Sequence, residues 1–225
     1  RSNTSGNRNN ALGYQALYSN IDGLRNTAIG TLALTANNSG EDNAALGNGS
    51  LSANQIGHQN TAVGAAALSG VNATDLVNAG AFGYNAEPGD SNKIRIGNAM
   101  VSTIEGQVNF TASSDGRFKH KVKENVPGIA FIETLRPVTY QFDWNAIQAW
   151  QLQAYGKKDE TPGGQEPPLA KMRFTGFIAQ EVEAAAQEIG YDFSGVDKPQ
   201  TNQETYGLRY AEFVVPLVKA TQEQQ

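Results

Sequence analysis

A repeat of 17 residues runs through residues 6–86 and limits the possible folds more than any other feature of the sequence. The pattern Asn-x-Ala-apolar-Gly ends at Gly13 and returns with the same spacing, and a looser copy ends 19 residues after the fourth. Seventeen residues are too few for a pair of helices, and regularly spaced glycines disfavour helix. The glycines that end the five copies are Gly13, Gly30, Gly47, Gly64 and Gly83.

The repeat predicts a parallel β-solenoid in which each unit forms two short strands and two turns. Alternation along the strand places Ala and Gly on one face and Leu, Ile or Val on the other. The recurrent glycines, including a second set at Gly23, Gly40 and Gly57, are expected to supply turn positions with positive φ. Asparagines at equivalent places in successive units are expected to form ladders of side-chain amides.

Composition alone is also compatible with disorder, because residues 1–100 hold only 11 of the 39 charged residues and are rich in Asn, Gly, Ala, Ser and Thr. The four regular copies favour a folded repeat instead. One coil buries few apolar side chains, each CH₂ contributing about 0.8 kcal/mol, against an ordering cost of about 1–2 kcal/mol per residue. A single thin solenoid is therefore marginal, and we expect an obligate homo-oligomer.

The unit Asn-x-Ala-apolar-Gly-x-x-Ala-Leu resembles the repeats of the left-handed parallel β-roll in the heads of trimeric autotransporter adhesins. The resemblance covers residues 6–86 and implies a scaffold or a surface-binding rod. Because Arg1 opens inside this repetitive stretch, we expect the chain to be part of a longer protein.

The predicted domains are a β-roll at 1–91, a β-strand neck at 92–113 and an α/β module at 114–225. The neck alternates apolar and polar residues at 93–97 and again at 103–110, which predicts two strands. In the module, Asn125 and Pro127 are expected to begin a helix that Pro137 ends. Further strands are predicted at 138–142 and 174–178, a charged loop at 156–171 and a helix at 179–189.

The last predicted helix starts near Ala211. Its apolar residues lie at i, i+1, i+4 and i+5, a stripe wide enough for a coiled-coil seam, and Pro216 is expected in its first turns. These apolar residues are Phe213, Val214, Leu217 and Val218.

Five motifs occur in order through the module, and together they are similar to the intramolecular chaperone domain that ends endosialidase tailspikes and many phage tail fibres. The myelin regulatory factor family carries a related domain. The motifs are SDGRFK at 114–119, LRPVTY at 135–140, GFIAQEV at 176–182, Tyr210 and PLVKA at 216–220.

The resemblance implies a homotrimer that templates the upstream fibre and then cuts itself off. In that family the chain is cut just before the serine of the Ser-Asp motif, which here is the bond between Ser113 and Ser114. By the same matching, Ser114 is the nucleophile and Lys119 the general base. Asp115 is expected either to orient this site or to cap a turn.

A serine hydroxyl needs an adjacent base, and a lysine acts as one only when neutral, which requires its pKa to fall from about 10.4 toward 7–8. Burial and neighbouring cations both lower it. The five-residue spacing separates Ser114 from Lys119 on a helix and by up to about 17 Å in a strand. Either a turn brings them together or Lys119 comes from a neighbouring chain. We therefore hypothesise that trimer assembly completes the site.

The remaining composition argues against several classes of site and partner. The net charge of −5 disfavours nucleic-acid binding, and the absence of cysteine excludes disulfides and thiolate ligands. No apolar run is long enough to span a bilayer, so no membrane insertion is expected. His58 and His120 are interpreted as surface residues and Trp144 and Trp150 as core or interface aromatics. We expect no metal and no cofactor.

The sequence leaves several functions open. A fibre or adhesin segment with a self-cleaving chaperone competes with a structural trimer that never cuts, with a released regulator and with part of a glycan-degrading tailspike. The regulator is disfavoured because no basic DNA-binding segment is present, and the repeats hold no paired carboxylates for glycosidase work. The expected settings are a virion or injection-device tail fibre, or a bacterial cell surface. Possible partners there are a host-surface glycan or receptor, or a phage or injection-device baseplate.

Overall fold

The computed structural model describes residues 4–159 and 166–225, and the chain divides into two compact units. Unit 1 comprises Arg1–Ser102, Phe142–Met172 and Gln200–Glu204, and unit 2 comprises Thr103–Gln141, Arg173–Pro199 and Thr205–Gln225. Two segments of the predicted C-terminal module thus pack with the repeats. The domain boundaries at 91 and 113 stay predictions.

Unit 1 is built on a parallel β-solenoid, as the repeat predicts. Six three-residue strands form one sheet in chain order, every pair parallel. The register pairs equivalent residues of successive coils, so that Ala28 lies between Ala11 and Ala45. The strands are β1 Asn10–Leu12, β2 Thr27–Ile29, β3 Ala44–Leu46, β4 Thr61–Val63, β5 Gly80–Phe82 and β6 Ile94–Ile96.

The interior of the solenoid holds one alanine from each central strand and one leucine from the opposite side of the coil. Ala28 and Leu34 are both fully buried, while the apolar residue that follows the alanine, such as Ile29, faces outward at 39% exposure. The predicted alternation is confirmed, but the prediction of two strands per coil is wrong. The rest of each coil is made of turns, in which Leu34 and its equivalents Leu17, Leu51 and Leu68 adopt φ near +50°.

Two ladders of asparagine side chains run along the solenoid, as predicted. In the first, the Nδ2 of Asn37 donates to the Oδ1 of Asn20 at 2.8 Å, and Asn54 repeats the contact to Asn37 at 2.7 Å. In the second, the Oδ1 of Asn26 accepts from the backbone N–H of Asn43 at 3.0 Å, and the Oδ1 of Asn43 accepts from that of Asn60. Each coil is thereby hydrogen-bonded to the next by side chains as well as backbone.

The two sets of glycines serve different purposes. Gly13 and its equivalents have positive φ, 138° at Gly13, as predicted. The expectation of positive φ at Gly23 is wrong. There a Cβ would lie 2.5 Å from both the Asn20 Oδ1 and the Gly40 carbonyl oxygen, so glycine is required by the close approach of the next coil and the asparagine ladder.

The neck matches its prediction only in its first part. β6 at Ile94–Ile96 adds the sixth strand of the solenoid sheet. Residues 103–110 form no strand, because no segment among the described residues pairs with them to complete a ladder. Their apolar side chains are exposed, reaching 85% at Val108 and 91% at Phe110.

The rest of unit 1 contains a helix that the sequence analysis missed and a segment that it misassigned. Helix α2, Trp144–Tyr155, is capped at its start by the Asp143 carboxylate, which accepts from the Ala146 N–H at 2.9 Å. The predicted charged loop at 156–171 agrees with 156–159, which form no helix or strand and hold the buried Asp159, and it is wrong at its end, where α3, Pro168–Lys171, is helical. Its middle, 160–165, lies outside the described residues.

Unit 2 is a small α/β fold around an aromatic core. Two antiparallel two-stranded sheets pair β7 with β8 and β9 with β10. Phe131 is fully buried among the rings of Tyr191, Phe193 and Phe213. The elements are α1 Ile129–Ile132, β7 Val138–Tyr140, β8 Phe174–Gly176, α4 Ala179–Glu188, β9 Val196–Asp197, β10 Gly207–Leu208 and α5 Val214–Glu223.

Two helix predictions in unit 2 need correction. Helix α1 spans four residues after Gly128 rather than beginning at Asn125. The stripe predicted as a coiled-coil seam is divided, because Phe213 is 5% exposed in the core of its own chain whereas Val214, Leu217 and Val218 remain about half exposed. Pro216 does lie in the first turn of α5, where a missing N–H costs nothing.

Candidate functional site

A single 3₁₀ turn at Gly116–Phe118 brings the predicted nucleophile and base together. The N–H of Phe118 donates to the Asp115 carbonyl at 3.1 Å and the N–H of Lys119 to the Gly116 carbonyl at 3.2 Å. The chain reverses across this turn, and the Lys119 Nζ donates to the Ser114 Oγ at 2.7 Å. The sequence left open whether a turn or a neighbouring chain brings Lys119 to Ser114. In this structure, a turn within one chain brings them together.

The Asp115 carboxylate hydrogen-bonds within the turn rather than to the side chain of Ser114 or Lys119. Its Oδ1 accepts from the backbone N–H of Arg117 at 2.9 Å, which is the N-cap contact, and its Oδ2 accepts from the Arg117 guanidinium at 2.6 Å. These hydrogen bonds, the guanidinium first, hold the pKa of the Asp115 carboxyl below its ordinary value. The carboxylate is thus occupied by Arg117 and orients the pair only through the shape of the turn.

The Ser114–Lys119 pair is exposed in the single chain and flanked by exposed apolar side chains. Ser114 and Lys119 are both exposed. Phe118 is 77% exposed and Val122 78%, and the Arg117 guanidinium lies 5.6 Å from the centre of the Phe118 ring. Apolar residues left uncovered beside a polar pair form a surface suited to burial by another protein surface.

The other motifs of the module are joined to one another within unit 2. Arg136 and Glu181, from the second and third motifs, form a bidentate ion pair with oxygen distances of 3.0 and 2.5 Å. The backbone N–H of Phe177 donates to the hydroxyl of Tyr210 at 3.1 Å. The motifs therefore lie near one another in space, and these contacts are structural.

The sequence analysis missed a second set of charged residues, in unit 1. Glu87, Asp159 and Glu204 are buried carboxylates, and Lys157 and Lys93 lie against two of them. The signal in the sequence is the loss of the 17-residue period after Gly64, which marks where the solenoid needs a different neighbour.

Among the described residues no group of His, Asp or Glu is placed to hold a metal ion, and both His58 and His120 are exposed. Within the same described ranges no helix is both long enough and apolar enough to cross a membrane.

Comparison with known protein families gives one match. Residues 114–191 match the model of the family Peptidase_S74, the chaperone of endosialidase. The matched range begins at Ser114. This match and the parallel β-solenoid before it confirm the architecture expected from the two resemblances. The chain matches no curated protein, and it matches no solved structure.

Proposed function

We propose that this chain is a segment of a trimeric fibre or adhesin whose C-terminal module templates assembly and then cuts itself off between Ser113 and Ser114. The match to the chaperone of endosialidase supports the assembly role. The observation that carries the cleavage is the 2.7 Å hydrogen bond between Lys119 Nζ and Ser114 Oγ. The setting is a phage or injection-device tail fibre or a bacterial surface, with a receptor, surface glycan or baseplate as a further partner.

Self-association is supported by a row of apolar side chains along the outer face of the solenoid sheet. One residue of each strand contributes, and all are between 38% and 70% exposed although four of the six directly follow a buried alanine. A continuous apolar row in register on a thin solenoid is suited to packing against the same row of other copies. The row consists of Leu12, Ile29, Leu46, Val63, Phe82 and Ile96.

A template addresses a folding problem of the solenoid, which we call the shaft of the fibre. Parallel strands pair across long stretches of chain, so they find register slowly and expose edges that aggregate. A trimeric C-terminal module raises the effective concentration of the three shafts and starts them in register. Removing the template afterwards leaves a shaft whose persistence depends on a high barrier to unfolding.

The position of Ser114 immediately after the scissile bond determines the chemistry. Its Oγ reaches the carbonyl carbon of Ser113 through a five-membered ring, the amide nitrogen of Ser114 leaves as an amine, and an ester forms. Water then hydrolyses the ester to give the carboxylate of Ser113 and a new N-terminus at Ser114. Lys119, when neutral, takes the hydroxyl proton and returns it to the departing nitrogen.

Trimer assembly supplies what the exposed pair needs. A charged lysine donates to a hydroxyl but accepts no proton, and removal from water favours the neutral amine. Packing of other copies against Phe118 and Val122 would remove water from the pair. Cleavage would then follow correct assembly. The second candidate is a structural trimerisation module that never cuts, favoured by the exposure of both side chains.

A denaturing gel and an intact mass of the purified chain separate the two candidates. Self-cleavage gives two pieces of 113 and 112 residues, with the new N-terminus at Ser114, whereas the alternative gives one species of 24.0 kDa. Ser114→Ala should abolish cutting and Ser113→Ala should not. Lys119→Arg keeps the charge and the donor but cannot act as a base, so it should assemble uncut.

Dependence on assembly is tested by refolding at decreasing chain concentration. The cut fraction should fall together with the trimer, whose mass is that of three chains of 24.0 kDa. A cleavage rate that does not change with concentration would contradict the role of assembly, and uncut wild-type trimers would favour the structural module.

A further inference from the structure

The last coils of the solenoid are covered by residues that come much later in the chain. Helix α2 and the residues after it lie against coils four and five, together with a short return of the chain. The carbonyls of Ala154 and Tyr155 accept from the Asn72 side chain at 2.9 Å and from the Val71 N–H at 3.1 Å. We call residues 142–159 and 200–204 the end cap; all belong to unit 1.

The end cap lies where the coil-to-coil hydrogen bonds of the solenoid change their acceptor at one position. In earlier coils the N–H of Ser19 and of Ala36 donates to a backbone carbonyl of the next coil. Gly70, two periods after Ala36, instead donates to the side chain of Glu87 at 2.8 Å, and Ser69 donates to the same oxygen at 2.7 Å. The Glu87 carboxylate therefore replaces a carbonyl that the next coil does not provide.

A buried carboxylate needs a cation, and the end cap supplies it. The Lys157 Nζ lies 2.5 Å from the Glu87 Oε1, and the side chains are only 18% and 5% exposed. Lys157 also donates to the Ala66 carbonyl at 2.8 Å and to the Ser69 Oγ at 3.1 Å. All three donor positions of the ammonium are thus used at the end of the solenoid.

A second buried carboxylate of the end cap accepts from the coil beyond. Asp159, 4% exposed, receives hydrogen bonds from the side chains of Asn85 at 2.6 Å and Asn98 at 3.0 Å. It also accepts from the Ala99 N–H at 3.1 Å and from Gln151 at 3.0 Å. Four donors converge on one carboxylate, three of them from the solenoid side.

The short return at 200–204 adds a third point of contact. Glu204 pairs with Lys93 of the last coil, and the hydroxyl of Tyr155 donates to the Gln203 carbonyl at 2.6 Å. The contacts to the shaft are thus spread over α2, the segment after it and the return.

We propose that the end cap is a docking element through which the C-terminal module holds the end of the shaft without a covalent link. The partner it fits is a solenoid end that presents amide donors and a buried carboxylate. The consequence of this docking for the processed fibre rests on the proposed cleavage. Every end-cap residue lies after Ser114, so the module would stay docked after the cut until these contacts open.

The test severs the neck independently of self-cleavage. A site for a sequence-specific protease is placed between 103 and 113 of the full chain carrying Ser114→Ala, and cutting is confirmed on a denaturing gel. Size exclusion at physiological salt should then recover both pieces together. Separation of the two pieces under these conditions would overturn the proposal, whatever the outcome for Ser114.

Matched variants identify the contacts responsible. Lys157→Met keeps the length of the side chain but leaves the Glu87 carboxylate buried without a cation, so the dissociation rate of the cut pieces should rise about 100-fold or more. Lys158→Met removes the neighbouring charge, which is exposed, and should leave the rate unchanged. Equal rates for the two variants would overturn the assigned role of Lys157.

Hydrogen exchange tells undocking from loss of folding. In uncut Lys157→Met, the amides of Ser69, Gly70 and Val71 should exchange faster, while those of β2 and β3 keep wild-type protection. Faster exchange throughout the solenoid would show a general folding defect and would contradict a local docking contact. Glu87→Gln, which changes the shaft side of the same pair, should give the same local pattern.

Discussion

At the scale of single residues, the solenoid places non-glycine residues in the left-handed region at repeated positions. Gln15, Leu32 and Ala66 are equivalent and have φ between 53° and 61°, and the third coil has Gly49 with φ 66° at the same place. A left-handed conformation costs an L-residue about 1–2 kcal/mol. The fold tolerates this cost because the turn is fixed by hydrogen bonds to both neighbouring coils.

Reciprocal exchange of glycine and alanine at this position should measure that cost. Gly49→Ala is expected to lower the free energy of unfolding by about 1 kcal/mol, since a Cβ meets no atom within 4 Å and only the backbone is strained. Ala66→Gly should be neutral or stabilising. Denaturant unfolding of both variants provides the measurement, and equal losses for the two would exclude the conformational explanation.

Asp115 offers a test of capping against direct participation. Asp115→Asn keeps a good N-cap and loses only the charge pairing with Arg117, so cleavage should stay within about threefold of wild type. Asp115→Ala removes the cap and should slow cleavage about fivefold. Rates of cutting during refolding give the comparison, and equal slowing in the two variants would indicate that the carboxylate acts on the pair itself.

Acid should weaken the same turn. Because the folded-state pKa of Asp115 is lowered by Arg117, its contribution is present above the ordinary carboxyl pKa and is lost as the pH falls through the folded value. Exchange of the Phe118 and Lys119 amides at pH 6 and pH 3 measures this. Protection that does not fall at the lower pH in wild type would contradict it, and Asp115→Asn should show no acid-dependent change.

At the scale of elements, the asparagine ladders provide contacts that strands of three residues cannot. The Asn43 side chain accepts from the Asn60 N–H at 3.0 Å and donates to the Gly57 carbonyl at 2.8 Å, both buried. Among the described residues, the first ladder ends at Asn54, whose Oδ1 has no partner. The ladders thus replace strand length as the source of coil-to-coil order.

Removing one asparagine side chain from a ladder should therefore lower the free energy of unfolding by more than the loss of so small a side chain suggests. Asn43→Ala leaves the buried Asn60 N–H unpaired, at a cost of about 1–3 kcal/mol, while the Gly57 carbonyl keeps its hydrogen bond from Asn54, so the free energy of unfolding should fall by about 2 kcal/mol. Asn48→Ala, at an exposed asparagine of the same coil, should change it by less than about 0.5 kcal/mol. Similar losses in both variants would argue against the ladder as a stabilising element.

At the scale of the whole molecule, the outer apolar row of the sheet is where proposed trimer packing can be tested. Val63→Asp would place an unpaired carboxylate between shafts, so trimers should dissociate in detergent at a temperature at least 10 °C lower. Asn48→Asp adds the same charge to an exposed polar position and should have no effect. A gel of unheated and heated samples gives the result, and equal resistance would remove this row from the interface.

The elements predicted best were those whose signal repeats. A single Ala-apolar-Gly segment is ambiguous, but four copies in register identify β2 to β4 and the buried alanines without knowledge of the fold. Helix α2 gave no such signal, since its two faces are both mixed. The turn at Gly116–Phe118 was one of two alternatives, because five residues of sequence do not say whether the chain reverses.

The sequence by itself determined the solenoid, its period and the asparagine ladders, because each depends on local spacing that every coil repeats. The assignment of Ser114 and Lys119 rests instead on the resemblance of one motif to a known family, and it stays a prediction. Only the tertiary structure decided which later residues cover the solenoid end. Glu87 and Lys157 lie 70 positions apart, and nothing local marks them as partners. They meet because the N–H groups of Ser69 and Gly70 are satisfied by the Glu87 side chain instead of a backbone carbonyl, and the cation for that buried carboxylate comes from a later part of the chain that folds back over the coil.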